Sequence, residues 1–263
     1  MKKVIGVVQA RWASRRLPGK ALARLGPCTA LEWIFRRLKK AKTLSQVVFS
    51  TGSGPENRAL CRLAERHGIS AFSGPEADLV KRFLGALLLT DADAMVRVTG
   101  DCPWVDPDLV DKMVGIWQKN PRVDFVTNYT PPTYPDGLDL DLTTRPALER
   151  MHRTVSTPLD REWFNAYILK HPGEFVIKHF SSPRDLSALR WTLDFPEDLA
   201  FFRRAFSLFG GRSLESMRTA RLVALLERNP ALIGINASRR DTTVQNGLRS
   251  ESYFSLLKNR RAR

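Results

Sequence analysis

Val4-Ile5-Gly6-Val7-Val8-Gln9-Ala10-Arg11-Trp12-Ala13-Ser14-Arg15-Arg16-Leu17-Pro18-Gly19-Lys20 decides how the chain is read. Val4 to Val8 is a short run rich in β-branched residues, suited to a central strand buried on both faces. The loop that follows gathers Arg11, Arg15, Arg16 and Lys20, with Ser14 and free backbone N–H groups as neutral donors. In an open α/β sheet, ligands bind outside the carboxyl ends of the strands. A cationic loop at such a strand end is therefore a phosphate site, and a triphosphate is its natural guest. The loop is not a Walker A motif, which needs Gly where Ser14 stands and Ser or Thr where Ala21 stands. No G-x-G-x-x-G is present either. A merely solvated basic loop is the bland alternative, and the coincidence of cation density, strand end and Pro18-Gly19 turn weighs against it.

Outward from that stretch, apolar runs alternate with helical periodicity, the pattern of a doubly wound, mostly parallel sheet with helices on both faces. Leu31, Ile34, Phe35 and Leu38 recur at helical spacing. Strands are expected at Gln46 to Ser50, Ile69 to Phe72, Met95 to Val98 and Val123 to Val126, with helices near Asn57 to His67, Ala77 to Leu89 and Pro107 to Gln118. Asn128 to Gly137 is too rich in Pro and Gly for a regular element, so residues 128–180 read as an inserted arm that covers the site or meets a second subunit. The core resumes with Leu189 to Asp194, read as a strand, and a helix from Pro196 to Leu208. The expected organisation is a domain over 1–210 and a helical extension with a basic tail over 211–263.

Composition narrows the function. The net charge is +15, yet the excess sits in Arg11 to Lys20, Arg36 to Lys42 and the tail Lys258 to Arg263, with no recognition helix, zinc finger or RNA-binding motif to organise it. No specific nucleic-acid partner is expected. No apolar run approaches the roughly 20 residues that cross a bilayer, so no membrane insertion is expected. Met1 to Val8 lacks a small-residue cleavage pattern and reads as a strand, not a signal peptide. Cys28, Cys61 and Cys102 form neither an even set nor a CxxC pair, which suits a reducing cytoplasm.

Two further segments carry chemistry. Gly100-Asp101-Cys102-Pro103 follows an expected strand, where a carboxylate can hold Mg²⁺ against phosphate oxygens. A capping role is the alternative, but Asp106 or Asp108 already offers it. Arg190-Trp191-Thr192-Leu193-Asp194-Phe195-Pro196-Glu197-Asp198-Leu199 places Asp194 where it either caps the next helix or binds metal. Asp136, Asp139 and Asp141 form an acidic cluster that suits a second cation, an acceptor hydroxyl or plain turn chemistry. The four histidines show no ligand spacing.

These motifs carry a resemblance. Ala10 to Lys20, Gly100-Asp101-Cys102-Pro103, Pro132 to Asp139 and Leu189 to Leu199 together resemble the Kdo and acylneuraminate cytidylyltransferases, and more specifically the spore coat polysaccharide biosynthesis protein F group within that superfamily. The resemblance spans roughly residues 3 to 208 in order. It implies a Rossmann-like fold of the nucleotide-diphospho-sugar transferase type, and Mg²⁺-dependent transfer of CMP from CTP to an acidic sugar such as a ulosonic or nonulosonic acid, with release of pyrophosphate. It implies that Arg11, Arg16 and Lys20 hold the triphosphate, that Ala10, Ser14, Arg15 and Thr99 bind the nucleotide, and that Asp101 and Asp194 bind Mg²⁺. Asp136, Asp139 and Asp141 would face the acceptor, and a homodimer is expected. A different donor or acceptor, such as GTP or a phosphonate, and a non-catalytic relative that binds nucleotide or polyanion, are the alternatives.

Two departures stand out. Ala13 replaces a Gly common in the group, and Trp163-Phe164-Asn165-Ala166 stands where members show His-Val-Thr-Pro. Trp163, Phe164 and Tyr167 are read as the buried face of a helix, the alternative being a lining of the acceptor pocket.

Overall fold

The structure is a computed structural model and describes residues 2–14, 16–210 and 214–239. Arg15 and the basic tail lie outside the described residues.

Strand β1 (Val4–Gln9) is the centre of a seven-stranded sheet. It pairs in parallel with β4 (Gln46–Gly52) on one side and β6 (Ala94–Thr99) on the other. Its side chains alternate between two cores: Val4 and Val8 join one, Ile5 and Val7 the other. This is why the run is apolar throughout. A two-stranded ribbon of β2 (Arg24–Leu25) and β3 (Cys28–Thr29) precedes helix α1 (Ala30–Leu38), which starts on a reciprocal capping box between Thr29 and Glu32. Helix α2 (Arg58–Arg66) leads to β5 (Ser70–Gly74), which pairs in parallel with β4. Helix α3 (Leu79–Thr90), capped by Asp78, then covers the other face before β6. The crossover from β5 back past β4 and β1 to β6 makes the switch point at which this class of sheet binds ligands.

Helix α4 (Pro107–Lys119) is capped by Asp106, leaving Asp101 free of that duty. Strand β7 (Phe125–Thr127) follows, then β8 (Asp141–Thr144), helices α5 (Arg145–Thr154), α6 (Pro158–Glu162) and α7 (Phe164–Lys170), strand β9 (Ile177–His179) and helix α8 (Pro196–Phe209). The sheet order is β5-β4-β1-β6-β8-β7-β9, with β8 antiparallel to both neighbours and the other pairs parallel. Residues 128–180 supply β8 and β9 to the sheet itself and helices α5 to α7 between them.

The strand expected at Leu189 to Asp194 is not formed. Strand β8 already occupies the edge of β6, so this segment runs extended across the strand ends, touching the sheet region through an isolated bridge between Asp136 and Arg190 and a bond from Leu193 N to Asp101 O at 2.8 Å. Trp191 anchors it, packing edge-on against buried Trp104 at 5.2 Å in a cluster with Phe201, Phe202 and Phe206.

Beyond α8, helices at Thr219–Glu227 and Pro230–Gly234 fold back onto the domain. Arg37, with no exposure, donates to the carbonyls of Val105, Trp104, Leu214 and Met217, and Asp106 accepts from the Thr219 N–H and hydroxyl. Among the described residues no helix is long and apolar enough to cross a membrane. The three cysteines are unpaired.

Candidate active site

A cleft of about 770 Å³ opens at the carboxyl ends of β1 and β6. Its floor is tight: a Cβ at Gly100 would lie 2.4 Å from the Ala10 Cβ, and Gly100 N donates to Gln9 O at 2.7 Å. Only glycine lets the ends of the two strands meet this closely. The phosphate-type loop forms one wall. Trp12 N donates to Asn57 Oδ1 at 2.8 Å, Leu17 N to Ser14 Oγ at 3.3 Å, and the loop closes into a 3-10 turn beginning at Lys20.

Lys20 is the centre of the charge arrangement. Its Nζ donates to Asp101 Oδ2 at 2.6 Å and to Asp194 Oδ1 at 2.7 Å, and Arg16 Nη2 reaches the same Asp194 oxygen at 2.7 Å. Burial pulls the Lys20 ammonium towards its neutral form, but the charges of Asp101 and Asp194 outweigh it and leave Lys20 more basic than usual. Burial likewise raises the Asp101 carboxyl, and Lys20, through its charge and its bond, more than reverses this and brings it to about 2.

Asp194 does not cap α8. Asp198 performs that task, accepting from Asp194 N and Phe195 N at 2.9 Å each. Asp198 in turn is gripped by Arg190 through Nε at 2.8 Å and Nη2 at 2.9 Å, while Arg190 Nη1 binds Asp136 Oδ2 at 2.7 Å. Arg190 is thus the buried hub that aligns Asp136 and the Asp194 segment. Gly137, at φ +105°, permits the contact: a Cβ there would fall 2.3 Å from Trp191 O.

The donor set fits a divalent cation. The 2.6 Å and 2.7 Å bonds to one nitrogen hold the Asp101 and Asp194 oxygens no further than 5.3 Å apart. Among the described residues no group of three His, Cys, Asp or Glu side chains forms a protein cage. Two hard carboxylates open to a cleft are what Mg²⁺ uses when substrate phosphates and water complete its shell.

Other expected residues are distributed as follows. Arg11 lines the cleft, is well exposed and lies 3.4 Å from Glu76, and Ala10, Ser14 and Thr99 line the same cleft. Asp136 and Asp139 line the opposite part, where burial and then the charge of Asp136 push the Asp139 carboxyl well above the usual carboxylate range. Asp141 is different: expected among the acceptor-facing acids, it has no exposure and sits behind Arg97, accepting from Nε at 2.9 Å and Nη2 at 2.6 Å through one oxygen. A strand residue at the start of β8 points its side chain inward here, towards the charge carried by β6.

Several cleft residues escaped the sequence reading. Arg97 interrupts the apolar strand Met95-Val96-Arg97-Val98, and that interruption was the available signal. Tyr129 donates to Asp141 Oδ2 at 3.2 Å and accepts from Asn165 Nδ2 at 2.9 Å, linking the β6 side of the cleft to α7. Arg82 and Glu76 resemble ordinary surface charges in sequence and carry no such signal. The helical-face reading of Trp163-Phe164 holds for Phe164, which is fully buried beneath Arg97 with 5.6 Å from guanidinium to ring centre. It fails for Trp163, which is 44% exposed and lines the cleft with Asn165, because it occupies the junction of α6 and α7 where the helical register is broken.

Residues 5–208 match the cytidylyltransferase family. The chain is similar to the structure of a cytidylyltransferase from Leptospira borgpetersenii serovar Hardjo-bovis, at 31% identity and a TM-score of 0.84, covering 89% of this chain and 97% of that one. It is 26% identical to the spore coat polysaccharide biosynthesis protein SpsF of Bacillus subtilis, over 88% of this chain and 96% of that protein. It is 29% identical to the 3-deoxy-manno-octulosonate cytidylyltransferase of Leptospira interrogans, over 50% of this chain and 53% of that protein.

Proposed function

The chain belongs to the cytidylyltransferase family, and on that premise we propose that it transfers CMP from CTP to an acidic sugar destined for a surface polysaccharide, with Mg²⁺, releasing pyrophosphate. The observation that carries this reading is the convergence of Lys20, Arg16, Asp101 and Asp194 at one end of the cleft. An acceptor hydroxyl oxygen attacks the α-phosphorus and gives up its proton to solvent, the bond from the α-phosphorus to the bridging oxygen breaks, and pyrophosphate departs with the electron pair. Such a step needs positioning and charge neutralisation more than covalent catalysis.

Arg11, Arg16 and Lys20 are the cations that would hold the triphosphate and offset charge on the leaving pyrophosphate. Ala10, Ser14 and Thr99 would lie along the nucleotide. Asp101 and Asp194 would hold Mg²⁺, whose charge would polarise the α-phosphate. Arg190 and Asp198 keep Asp194 in place before any ligand arrives. On the acceptor side, Asp136 and Asp139 face the cleft, where they would meet the acceptor's hydroxyl groups. Asp141 would act through Arg97. A cytoplasmic homodimer remains part of this proposal.

The test is ligand-linked stability followed by turnover. CTP with Mg²⁺ should raise the melting temperature, because a ligand at 100 times its Kd adds about 2.7 kcal/mol, and GTP, UTP and ATP should do so less. Pyrophosphate release from CTP should then depend on an acidic sugar, with Kdo and N-acetylneuraminate as the first acceptors. A protein indifferent to every nucleotide, with and without Mg²⁺, would refute the reading.

A further inference from the structure

Asn236 lies beyond residues 5–208, the span that matches the family, yet its side chain reaches the hub behind the site carboxylates. It follows the short helix at Pro230–Gly234, and Leu232, Ile233 and Ile235 pack that segment on the core. Asn236 is 2% exposed, and its Nδ2 donates to Arg190 O at 3.1 Å and to Asp198 Oδ1 at 2.9 Å. In the turn that follows, Arg239 Nη2 donates to Glu197 Oε1 at 2.9 Å. Its guanidinium lies 4.6 Å from the ring centre of Phe195, the residue after Asp194.

Asp198 has no exposure, and its two oxygens divide the work. Oδ2 accepts from Arg190 Nη2, Asp194 N and Phe195 N, while Oδ1 accepts from Arg190 Nε and Asn236 Nδ2. Arg190 is itself shared, since its Nη1 binds Asp136 Oδ2 at 2.7 Å, so one guanidinium serves two carboxylates. A neutral amide adds a donor there without bringing a further charge into the hub. Its removal would take a donor from Asp198 Oδ1 and from Arg190 O, acceptors on two buried residues.

That loss would reach Asp194 by two routes. Asp198 holds the Asp194 backbone N–H at 2.9 Å, and Arg190 Nη2 lies 3.8 Å from Asp194 Oδ2. Groups that fix a metal ligand from behind cost about 10–100-fold in metal affinity when they are removed. We infer that Asn236 is a positioning residue for Asp194, so that the C-terminal extension is a working part of the metal site. Asn236 does not line the cleft and acts only through Arg190 and Asp198. This assignment rests on the reading of Asp194 as a metal ligand and adds which part of the chain holds it in register. The coupling is reciprocal: if the metal binds about tenfold more weakly when Asn236 lets go, Asn236 lets go about tenfold less often when the metal is bound.

The experiment measures amide hydrogen exchange of the full chain alone and with CTP and Mg²⁺ together. Exchange across residues 231–236 should slow by about tenfold with the ligands, although none of these residues lines the cleft. Slower exchange in the loop from Ala10 to Lys20 with no change in the extension overturns this proposal and leaves the transferase reading standing. No change anywhere removes the transferase reading and this proposal with it. A second arm follows Mn²⁺ affinity in the presence of CTP by electron paramagnetic resonance. In Asn236→Ala it should fall about tenfold, and excess Mg²⁺ should restore kcat. Leu222→Ala, which removes buried apolar surface from the same extension, should lose stability and keep its Mn²⁺ affinity. An equal fall in both variants would make the role of Asn236 merely structural and overturn the assignment, as would an Mn²⁺ affinity in Asn236→Ala within about twofold of wild type. The exchange arm needs no variant and decides the question even if Asn236→Ala fails to fold.

Discussion

Replacing Lys20 by methionine removes the ammonium from between two carboxylates while keeping an unbranched side chain of similar reach. The Asp101 and Asp194 oxygens that shared it lie no further than 5.3 Å apart, and both side chains are largely buried, 21% and 3% exposed. Two unit charges at that distance repel by about 3 kcal/mol at an effective dielectric constant of about 20. This agrees with the roughly 3–5 kcal/mol typical of a buried ion pair broken on one side. For a chain of this size the melting temperature should fall by about 6–12 °C. Differential scanning fluorimetry of Lys20→Met in metal-free buffer at pH 8 reads the effect directly. Addition of Mg²⁺ or Mn²⁺ should recover much of the loss, because a divalent cation between the two carboxylates, of which only Asp194 keeps a cation in Arg16, takes over the role of the ammonium. Asp101, left beside the Asp194 charge without its cation, binds a proton more tightly folded than unfolded, so the deficit should shrink as the pH is lowered towards about 4, the ordinary aspartate value. The reasoning fails if Lys20→Met melts within 2 °C of wild type, or if it melts low and no divalent cation raises it.

Asp101→Asn should preserve the fold and lower turnover by a few orders of magnitude, since the side-chain volume is kept while an anionic metal ligand is lost; steady-state pyrophosphate release against Mg²⁺ concentration checks it, and near-normal activity would remove Asp101 from the site. In the wild type, the folded Asp101 carboxyl lies at about 2, below its unfolded value. Its contribution to stability is therefore present above about pH 4 and lost as the pH falls from there through about 2, which acid titration of wild type against Asp101→Asn should resolve. Asp198→Ala leaves Arg190 buried without its bidentate partner and frees the backbone of Asp194 and Phe195. Urea unfolding should show a loss of about 3–5 kcal/mol, and Mn²⁺ affinity followed by electron paramagnetic resonance should fall with it.

Local chemistry made much of the fold legible. Val4 to Val8 is apolar at every coded side chain because both faces of β1 are buried, and that composition survives without knowledge of any partner. The loop from Gln9 to Lys20 and the turn at Gly100-Asp101 are short-range events at strand ends, so their place at the mouth of the sheet follows from the strand assignment alone. The caps at Thr29, Asp78 and Asp106 are equally local.

Tertiary structure decided the rest, because side-chain partnerships across a sheet depend on strand order, which periodicity does not encode. Lys20 meets Asp101 from 81 residues away and Asp194 from 174, through a crossover and a segment that is not a strand at all. Antiparallel β8, inserted between β6 and β7, brings Asp141 behind Arg97 and turns an expected acceptor ligand into a buried counter-ion. The same insertion displaces Leu189 to Asp194 from the sheet, leaving Arg190 and Asp198 to orient Asp194. Arg82, a surface charge by its sequence, is buried by the packing of α3 against the sheet. Local pattern reports how a segment pairs with water and with itself; which distant charge it meets is set by the free energy of the whole packed chain.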